Sequence, residues 1–153
     1  MNSANDRAVR LLREHLAIGV KHAPERYPIE KFILTFGRHF LPAALLPVIK
    51  RGRAKQCYQN AADLALGDEL KCDYAEGFAY DVDGGFPFGH AWCVQRRTAI
   101  DPTLKSPERY AYLGVIVPRR VLIETLEKQG HYGILTGELG DEFMQSWARR
   151  KRR

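Results

Sequence analysis

Three residue types that together can perform nucleophilic chemistry occur in order along the chain, as Cys57, His90 and Asp101. Cys57 opens a segment with helical periodicity, and a thiol at a helix N-terminus is favoured as thiolate by the helix dipole and by free backbone N–H groups. A thiolate nucleophile needs a base, and the base needs a third group to orient its ring. This order of residues therefore predicts attack by a cysteine sulfur.

The spacing between His90 and Asp101 allows the two side chains to meet. If Arg96 and Arg97 form a two-residue turn between two strands, residue 92 faces residue 101. Asp101 then shares a sheet face with Trp92, and so with His90, because residues two apart point to the same side. The pair would be diagonal neighbours with Cα atoms about 7–8 Å apart. A loop with an odd number of residues would instead move Asp101 to the opposite face.

Other interpretations of these residues stay open. A single cysteine in an apolar helix is more often a small core residue than a nucleophile, and a single histidine beside a tryptophan is more often structural. Zinc is disfavoured because His90 and Cys93 point to opposite faces of a strand, and Cys57 and Cys72 lack Cys-x-x-Cys spacing. The glycine-rich loops that bind nucleotide phosphates are also absent from the sequence. We predict no metal and no cofactor.

The elements that must position these residues indicate an α+β fold. We predict a helical N-terminal part, a cysteine-bearing helix packed on a short antiparallel sheet, and C-terminal helices. The apolar segment Leu41–Ile49, with two prolines, is expected to be a short helix or a loop. Helices are predicted after a cap at Asn5 or Asp6, after Pro28 with an apolar stripe that reaches Phe40, and over Cys57–Leu66, Arg119–Gln129 and Asp141–Arg150. Strands are predicted over Lys71–Tyr80, Phe88–Gln95, Thr98–Asp101 and Tyr110–Val117.

Length and composition limit the class of protein. With 153 residues, 45% of them hydrophobic and 27% charged, the chain is long enough for one domain with a core. Its longest uncharged apolar run, Phe40–Ile49, has ten residues, whereas a membrane-spanning helix needs about 20. Three cysteines do not form a disulfide scaffold, and the N-terminus shows no secretory signal. We expect a cytoplasmic protein that does not bind a membrane.

The net charge of +6 is concentrated at the C-terminus. Residues 149–153 are all Lys or Arg, and the rest of the chain has 19 basic and 18 acidic residues. We therefore divide the chain into a single domain, residues 1–148, and a basic C-terminal tail, residues 149–153. A terminal basic run is usually a solvated helix end or a flexible tail, and contact with phosphate or nucleic acid is the alternative.

The motifs around the three residues resemble the transglutaminase-like branch of the papain-like cysteine superfamily. His90-Ala91-Trp92 and Asp101-Pro102-Thr103 are the specific matches, and Cys57-Tyr58-Gln59-Asn60-Ala61 is a weaker one. The resemblance covers residues 57–117, and the same motifs are also similar to small, uncharacterised bacterial and phage proteins. It implies a Cys–His–Asp triad in which Cys57 is the nucleophile, His90 the general base and Asp101 the residue that orients the base.

The surroundings of the triad depart from the family in one respect. Members often carry an aromatic or Gly-Trp element before the cysteine, whereas this chain has basic residues and Gln56. The Cys57 backbone N–H and the Gln56 side chain are both candidate oxyanion donors.

Glu76 is an unexpected residue in its predicted strand. An unpaired buried carboxylate is costly, so the strand face that carries Glu76 is either solvated or supplies Glu76 with a partner near the cleft. We assign Glu76, Tyr74 and Trp92 to substrate binding.

The function that the resemblance implies is a cysteine-dependent hydrolase or acyl transferase that acts on amide bonds through an acyl-enzyme. Its partner would be a protein or a small amide substrate. One alternative is a non-catalytic binding module of the same fold that contacts nucleic acid through its basic end. Another is a phage or toxin-type effector that modifies a host protein. The basic cluster Lys50–Lys55, just before Cys57, could attract an acidic substrate to the cleft.

Overall fold

Residues 3–153, the part of the chain described by this computed structural model, contain five α-helices and five β-strands. The helices are α1 (Ser3–His22), α2 (Pro28–Phe36), α3 (Cys57–Leu66), α4 (Arg119–Gln129) and α5 (Gly140–Lys151). The strands are β1 (Arg38–Phe40), β2 (Asp73–Asp81), β3 (Phe86–Gln95), β4 (Thr98–Ile100) and β5 (Tyr110–Val117). The predicted α+β class is confirmed. Within this range, no helix has the length and apolar character needed to cross a membrane.

The strands form one antiparallel sheet in the order β1-β5-β2-β3-β4. β2 lies at the centre, and β4 is an edge strand that pairs with the last three residues of β3. The β3–β4 hairpin has the predicted register, with Cys93 opposite Ile100 and Gln95 opposite Thr98. In its two-residue turn, Arg96 has a φ of 60°, the left-handed conformation that such turns use.

The sheet buries apolar side chains on both faces. On one face, alternate residues of β2, β3 and β5 pack against the N-terminal helices and α3 in the larger core, which includes Tyr74, Phe78, Cys93, Leu113 and Val115. The other face carries a smaller cluster that contains Phe40, Ala75, Trp92, Val94 and Tyr112. His90 belongs to this second face, because it is two residues from Trp92 in β3.

Gly114 makes room for the indole of Trp92. Gly77 in β2 is directly opposite Gly114 in β5. A Cβ atom on Gly114 would lie 2.7 Å from the Trp92 ring and 2.3 Å from the carbonyl oxygen of Glu76. The missing side chain therefore lets the buried ring lie close to the backbone of the neighbouring strands.

The N-terminal part differs from the prediction at two points. α1 contains both predicted caps, Asn5 and Asp6, within its first turns. α2 ends before Gly37, whose backbone is extended at φ −68° and ψ 149°, so Phe40 lies in β1 and not on a helical stripe. Burial of Phe40 in the smaller core outweighs the helical spacing of its sequence. Residues 41–49 form a loop, which was one of the two alternatives.

Three of the five residues of the C-terminal basic run belong to α5. Arg149, Arg150 and Lys151 form the last turn of α5, where positive charge interacts favourably with the helix dipole. The cationic groups of Arg150 and Lys151 lie 5.7 and 5.8 Å from the centre of the Trp147 ring. The predicted boundary after residue 148 therefore falls inside a helix.

Candidate active site

Cys57 is the first residue of α3 and is largely buried. The loop before it turns through Lys55, which has a left-handed φ of 65°. The side-chain amide of Asn60 donates to the Arg53 carbonyl at 2.8 Å and to the Thr103 hydroxyl at 2.9 Å. Asn60 thus joins three parts of the site: the cysteine helix, the loop that leads into it, and the segment that follows Asp101.

His90 and Asp101 are paired in the interior. Nε2 of His90 lies 2.7 Å from Oδ2 of Asp101, and the two residues are 2% and 0% exposed. Because Cys93 is opposite Ile100, Asp101 follows β4 on the sheet face that carries His90. His90 itself lies beyond the last residue pair of β4, at an edge of β3 that β4 does not cover. The contact that the hairpin geometry allowed is therefore present.

Asp101 accepts hydrogen bonds at both carboxylate oxygens. Oδ1 accepts the backbone N–H groups of Thr103 and Leu104 at 2.9 and 3.2 Å. Oδ2 accepts the Tyr112 hydroxyl at 2.9 Å in addition to His90. Burial raises the pKa of Asp101, but the hydrogen bond and charge of His90, with the Thr103 and Tyr112 bonds, outweigh it and hold the pKa below its usual value. Asp101 is therefore a fixed, ionised partner for the imidazole.

The imidazole of His90 is enclosed by aromatic rings and bonded to Asp101. The Phe88 and Trp92 ring centroids lie 5.4 and 6.3 Å from that of His90, and the Trp92 ring is inclined by only 20°. Burial lowers the pKa of His90, but the hydrogen bond and charge of Asp101, together with the nearby Cys57 thiol, raise it to about 9. Since Nε2 faces Asp101, Nδ1 is the nitrogen left for the thiol.

The first turn of α3 offers donors for a developing negative charge. The N–H groups of the first residues of a helix have no acceptor within the helix. In α3 the N–H of Asn60 is the one that bonds back to the Gln56 carbonyl, at 2.8 Å. Gln56, the N-cap residue, is exposed and makes no side-chain capping bond. The Cys57 N–H and the Gln56 side chain therefore both stay available as oxyanion donors.

The three residues predicted to bind substrate are closed to solvent. Tyr74, Glu76 and Trp92 are 2%, 1% and 0% exposed. Side chains buried to this extent offer no surface to a substrate, so their assignment to substrate binding is corrected. Trp92 instead packs against the His90 ring, and Tyr74 donates its hydroxyl proton to Glu76.

Glu76 fastens a C-terminal segment to the sheet. Oε1 accepts the Tyr74 hydroxyl and the Ile134 N–H, each at 2.5 Å, and Oε2 accepts the Leu135 N–H at 2.9 Å. Burial raises the pKa of Glu76, and these hydrogen bonds offset the increase only in part. The partner of this carboxylate is therefore a tyrosine and two backbone amides, and neither a solvated face nor a substrate amine is involved.

The other two cysteines lie against α3. The Cys93 thiol is buried and donates to the Ala61 carbonyl at 3.2 Å. Cys72 is half-buried, with its sulfur 4.0 Å from the Leu64 carbonyl. The neighbouring Cys93 thiol lowers the pKa of Cys72. Cys72 is therefore the thiol that competes with Cys57 in a labelling experiment.

Two residues of the site, Tyr112 and Asn60, were not predicted from the sequence. Tyr112 belongs to β5, which β2 separates from β3, so its approach to Asp101 depends on the pairing of three strands. No local sequence signal predicts that contact. Asn60 is three residues after Cys57 and so lies on the same side of a helix. That spacing, inside a motif already singled out, is the signal that could have identified it.

In comparisons with known proteins, no family model, no curated protein and no solved structure matches this chain. Among residues 3–153, no group of three or more His, Cys, Asp and Glu side chains is arranged to hold a metal ion.

Proposed function

We propose that the protein is a cysteine-dependent enzyme that acts on amide bonds, as a hydrolase or an acyl transferase. Cys57 would be the nucleophile, His90 the base and Asp101 the residue that orients the base. The observation that carries this proposal is the buried 2.7 Å contact between His90 and Asp101. The Cys57 thiol at the start of α3 contributes to the raised pKa of this imidazole. The resemblance of the sequence motifs to transglutaminase-like members of the papain-like superfamily is consistent with these roles.

The first half of the reaction forms an acyl-enzyme. Nδ1 of His90 takes the thiol proton, and Asp101 stabilises the resulting imidazolium. The thiolate attacks the amide carbonyl carbon, and the C=O electron pair moves onto the oxygen, where the Cys57 N–H and the Gln56 side chain donate to it. The C–N bond then breaks as the imidazolium gives its proton to the leaving nitrogen. The product is a thioester on Cys57 and a free amine.

The second half determines whether the reaction is hydrolysis or transfer. Neutral His90 takes a proton from a water molecule or from an amine, which attacks the thioester carbon. The thiolate of Cys57 leaves and recovers the imidazolium as its partner. Water releases a carboxylic acid, and an amine releases a new amide. Both outcomes use the same three side chains and differ only in whether water or an amine attacks the thioester.

Alkylation by iodoacetamide at neutral pH tests the nucleophile. We expect Cys57 to react first, because it has an imidazolium partner and a helix N-terminus, with Cys72 slower and the buried Cys93 slowest. His90→Ala should slow the alkylation of Cys57 by about tenfold or more, because the partner that favours the thiolate is lost. Peptide mapping by mass spectrometry gives the rate at each thiol. Labelling of Cys72 or Cys93 before Cys57 would overturn the assignment.

A mixed peptide digest, with and without an added primary amine, tests the reaction itself. Mass spectrometry distinguishes new peptide ends, glutamine converted to glutamate, and the amine joined to a peptide. Each product should vanish with Cys57→Ala and persist with Cys72→Ala, which is the matched control at the other accessible thiol. A reactive Cys57 that yields none of these products would favour the non-catalytic binding module over the enzyme.

A further inference from the structure

A groove with a positively charged wall adjoins the candidate active site at Gln56. Its volume is about 600 Å³, and three cationic side chains line it: Lys50, Arg51 and Arg53. Side-chain amides complete much of the remaining wall, including that of Gln56, the residue directly before Cys57. We call this feature the basic groove. The lining of the groove therefore reaches the residue that precedes the candidate nucleophile.

The cations of the basic groove are not neutralised by the protein. All three are exposed, and none forms an ion pair with a residue in the described range 3–153. The acid in the lining, Asp63, accepts the Tyr132 hydroxyl at 3.4 Å. Exposed positive charge along a cleft raises the local concentration of anions and speeds their association. The groove therefore favours an anionic occupant.

The loop that presents these cations has a fixed path. The N–H of Gly52 donates to the carbonyl of Pro102 at 2.7 Å, and Asn60 donates to the carbonyl of Arg53. A Cβ atom on Gly52 would lie 2.3 Å from the Asn60 side chain, so only glycine allows this close approach. Pro102 follows Asp101 directly. The backbone that carries the cations is therefore bonded to the segment that follows Asp101 and to the cysteine helix.

We propose that the basic groove binds an acidic segment of a polypeptide substrate and thereby brings a neighbouring amide to Cys57. This inference rests on the proposed function and adds the substrate class to it. Single-stranded nucleic acid fits the groove less well, because such sites stack bases on aromatic side chains, and the lining contains none. The amide side chains, by contrast, can both donate to and accept from a peptide backbone.

Two matched affinity labels test the substrate class on the reactive protein. Bromoacetyl-triglutamate and bromoacetyl-triglutamine form the same thioether, because the Cys57 thiolate displaces bromide from each, and they differ only in charge. With Cys72→Ala as the background, we expect the acidic label to react about tenfold faster or more at low ionic strength. The preference should shrink in about 1 M salt, where the Debye length is only about 3 Å.

Two triple variants that remove the same amount of charge locate the effect. Lys50→Gln/Arg51→Gln/Arg53→Gln should reduce the rate ratio of the two labels to about one. Arg149→Gln/Arg150→Gln/Lys151→Gln, at the end of α5, should leave the ratio unchanged. Equal ratios in the two triple variants would mean that net charge, and not the groove, attracts the label, and would overturn the proposal.

A direct binding measurement separates failure of the groove from failure of the enzyme. Fluorescence anisotropy of labelled hexaglutamate on the Cys57→Ala protein needs no reactive thiol. Binding that the groove variant abolishes supports the proposal even if Cys57 proves inert, in which case only the proposed function fails. Binding that the groove variant leaves intact overturns it. Tighter, groove-dependent binding of a single-stranded oligonucleotide would also overturn it and identify a nucleic-acid site.

Discussion

Two buried carboxylates on the same sheet have nearly the same hydrogen-bond donors and yet differ in pKa. Asp101 and Glu76 each accept one tyrosine hydroxyl and the N–H groups of two consecutive residues. Both are almost completely removed from water. The pKa of Asp101 lies below its usual value, whereas that of Glu76 lies above it.

The difference between them is the imidazole. Burial raises the pKa of both carboxylates, because it penalises the ionised form. Only Asp101 has a basic side chain in contact, and the hydrogen bond and charge of His90 reverse the shift. A tyrosine and two amides are therefore enough to hold a carboxylate in the core but not to keep its pKa low. The comparison indicates that Asp101 stabilises the charged form of His90, whereas Glu76 holds the backbone of residues 134–135 against the sheet.

The largest expected effect comes from amide substitutions of the two acids. Asp101→Asn should lower any amide-bond activity by about 10³–10⁴-fold, because the imidazolium loses the anion that stabilises and orients it. Glu76→Gln should leave the activity and the alkylation rate of Cys57 within about twofold and cost about 1–3 kcal/mol of stability, because one buried amide loses its acceptor. Product formation measures the activity, alkylation measures the reactivity of Cys57, and urea unfolding measures the stability.

Urea unfolding also supplies the control for this pair. If Asp101→Asn remains folded at the pH of the assay, its loss of activity is a property of the site. An alkylation rate that falls equally in Asp101→Asn and Glu76→Gln would show that the two carboxylates do not have separate roles. The comparison would then fail.

The parts of the site that depend on strand register or on helical period could be predicted from the sequence. The two-residue turn at Arg96 and Arg97 determines which residues of β3 and β4 face each other, and this register brings His90 and Asp101 together. The helix Cys57–Leu66 was predicted with its observed bounds, because its apolar residues keep one period throughout. These features need only residues that lie close together in the sequence.

The remaining features depend on contacts between distant parts of the chain. Glu76 bonds to residues 58 and 59 positions later, so a strand pattern around it could indicate only an unusual carboxylate. Phe40 keeps helical spacing with the residues before it, but Gly37 ends the helix, and the ring is buried against the sheet. Tertiary packing determines both the partners of Glu76 and the position of Phe40, and the spacing of apolar residues in the sequence does not indicate such contacts.

A smaller expected effect is the dependence of protein stability on pH, which the His90–Asp101 pair should produce. The pKa of His90 is raised from 6.5 to about 9 in the folded protein. A raised pKa contributes stability that is fully present below the unfolded pKa and is lost as pH rises through the folded one. We therefore expect stability to fall by about 3 kcal/mol between pH 6.5 and 9. Urea midpoints across this range measure it, and His90→Gln should flatten the curve.

On the acid side the two carboxylates should act in opposite directions. Asp101, with a lowered pKa, contributes stability that is lost as pH falls through its folded pKa. Glu76, with a raised pKa, contributes stability at low pH that is lost as pH rises through its folded pKa. Glu76→Gln should therefore make the decline towards low pH steeper, and Asp101→Asn should make it shallower. The same change of slope in both variants would contradict the opposite shifts.

The smallest expected effect comes from removing one hydroxyl at each carboxylate. Tyr112→Phe and Tyr74→Phe should each cost about 1–2 kcal/mol at neutral pH, because each deletes a buried hydrogen bond to a carboxylate. Asp101 keeps His90 and two amides, so its pKa stays low and the cost should be constant above pH 5. Glu76 loses its hydroxyl donor and its pKa rises further, so the cost of Tyr74→Phe should grow with pH. Urea unfolding of both variants from pH 5 to 8 measures the two curves, and a constant cost for Tyr74→Phe would mean that the tyrosine does not control the ionisation of Glu76.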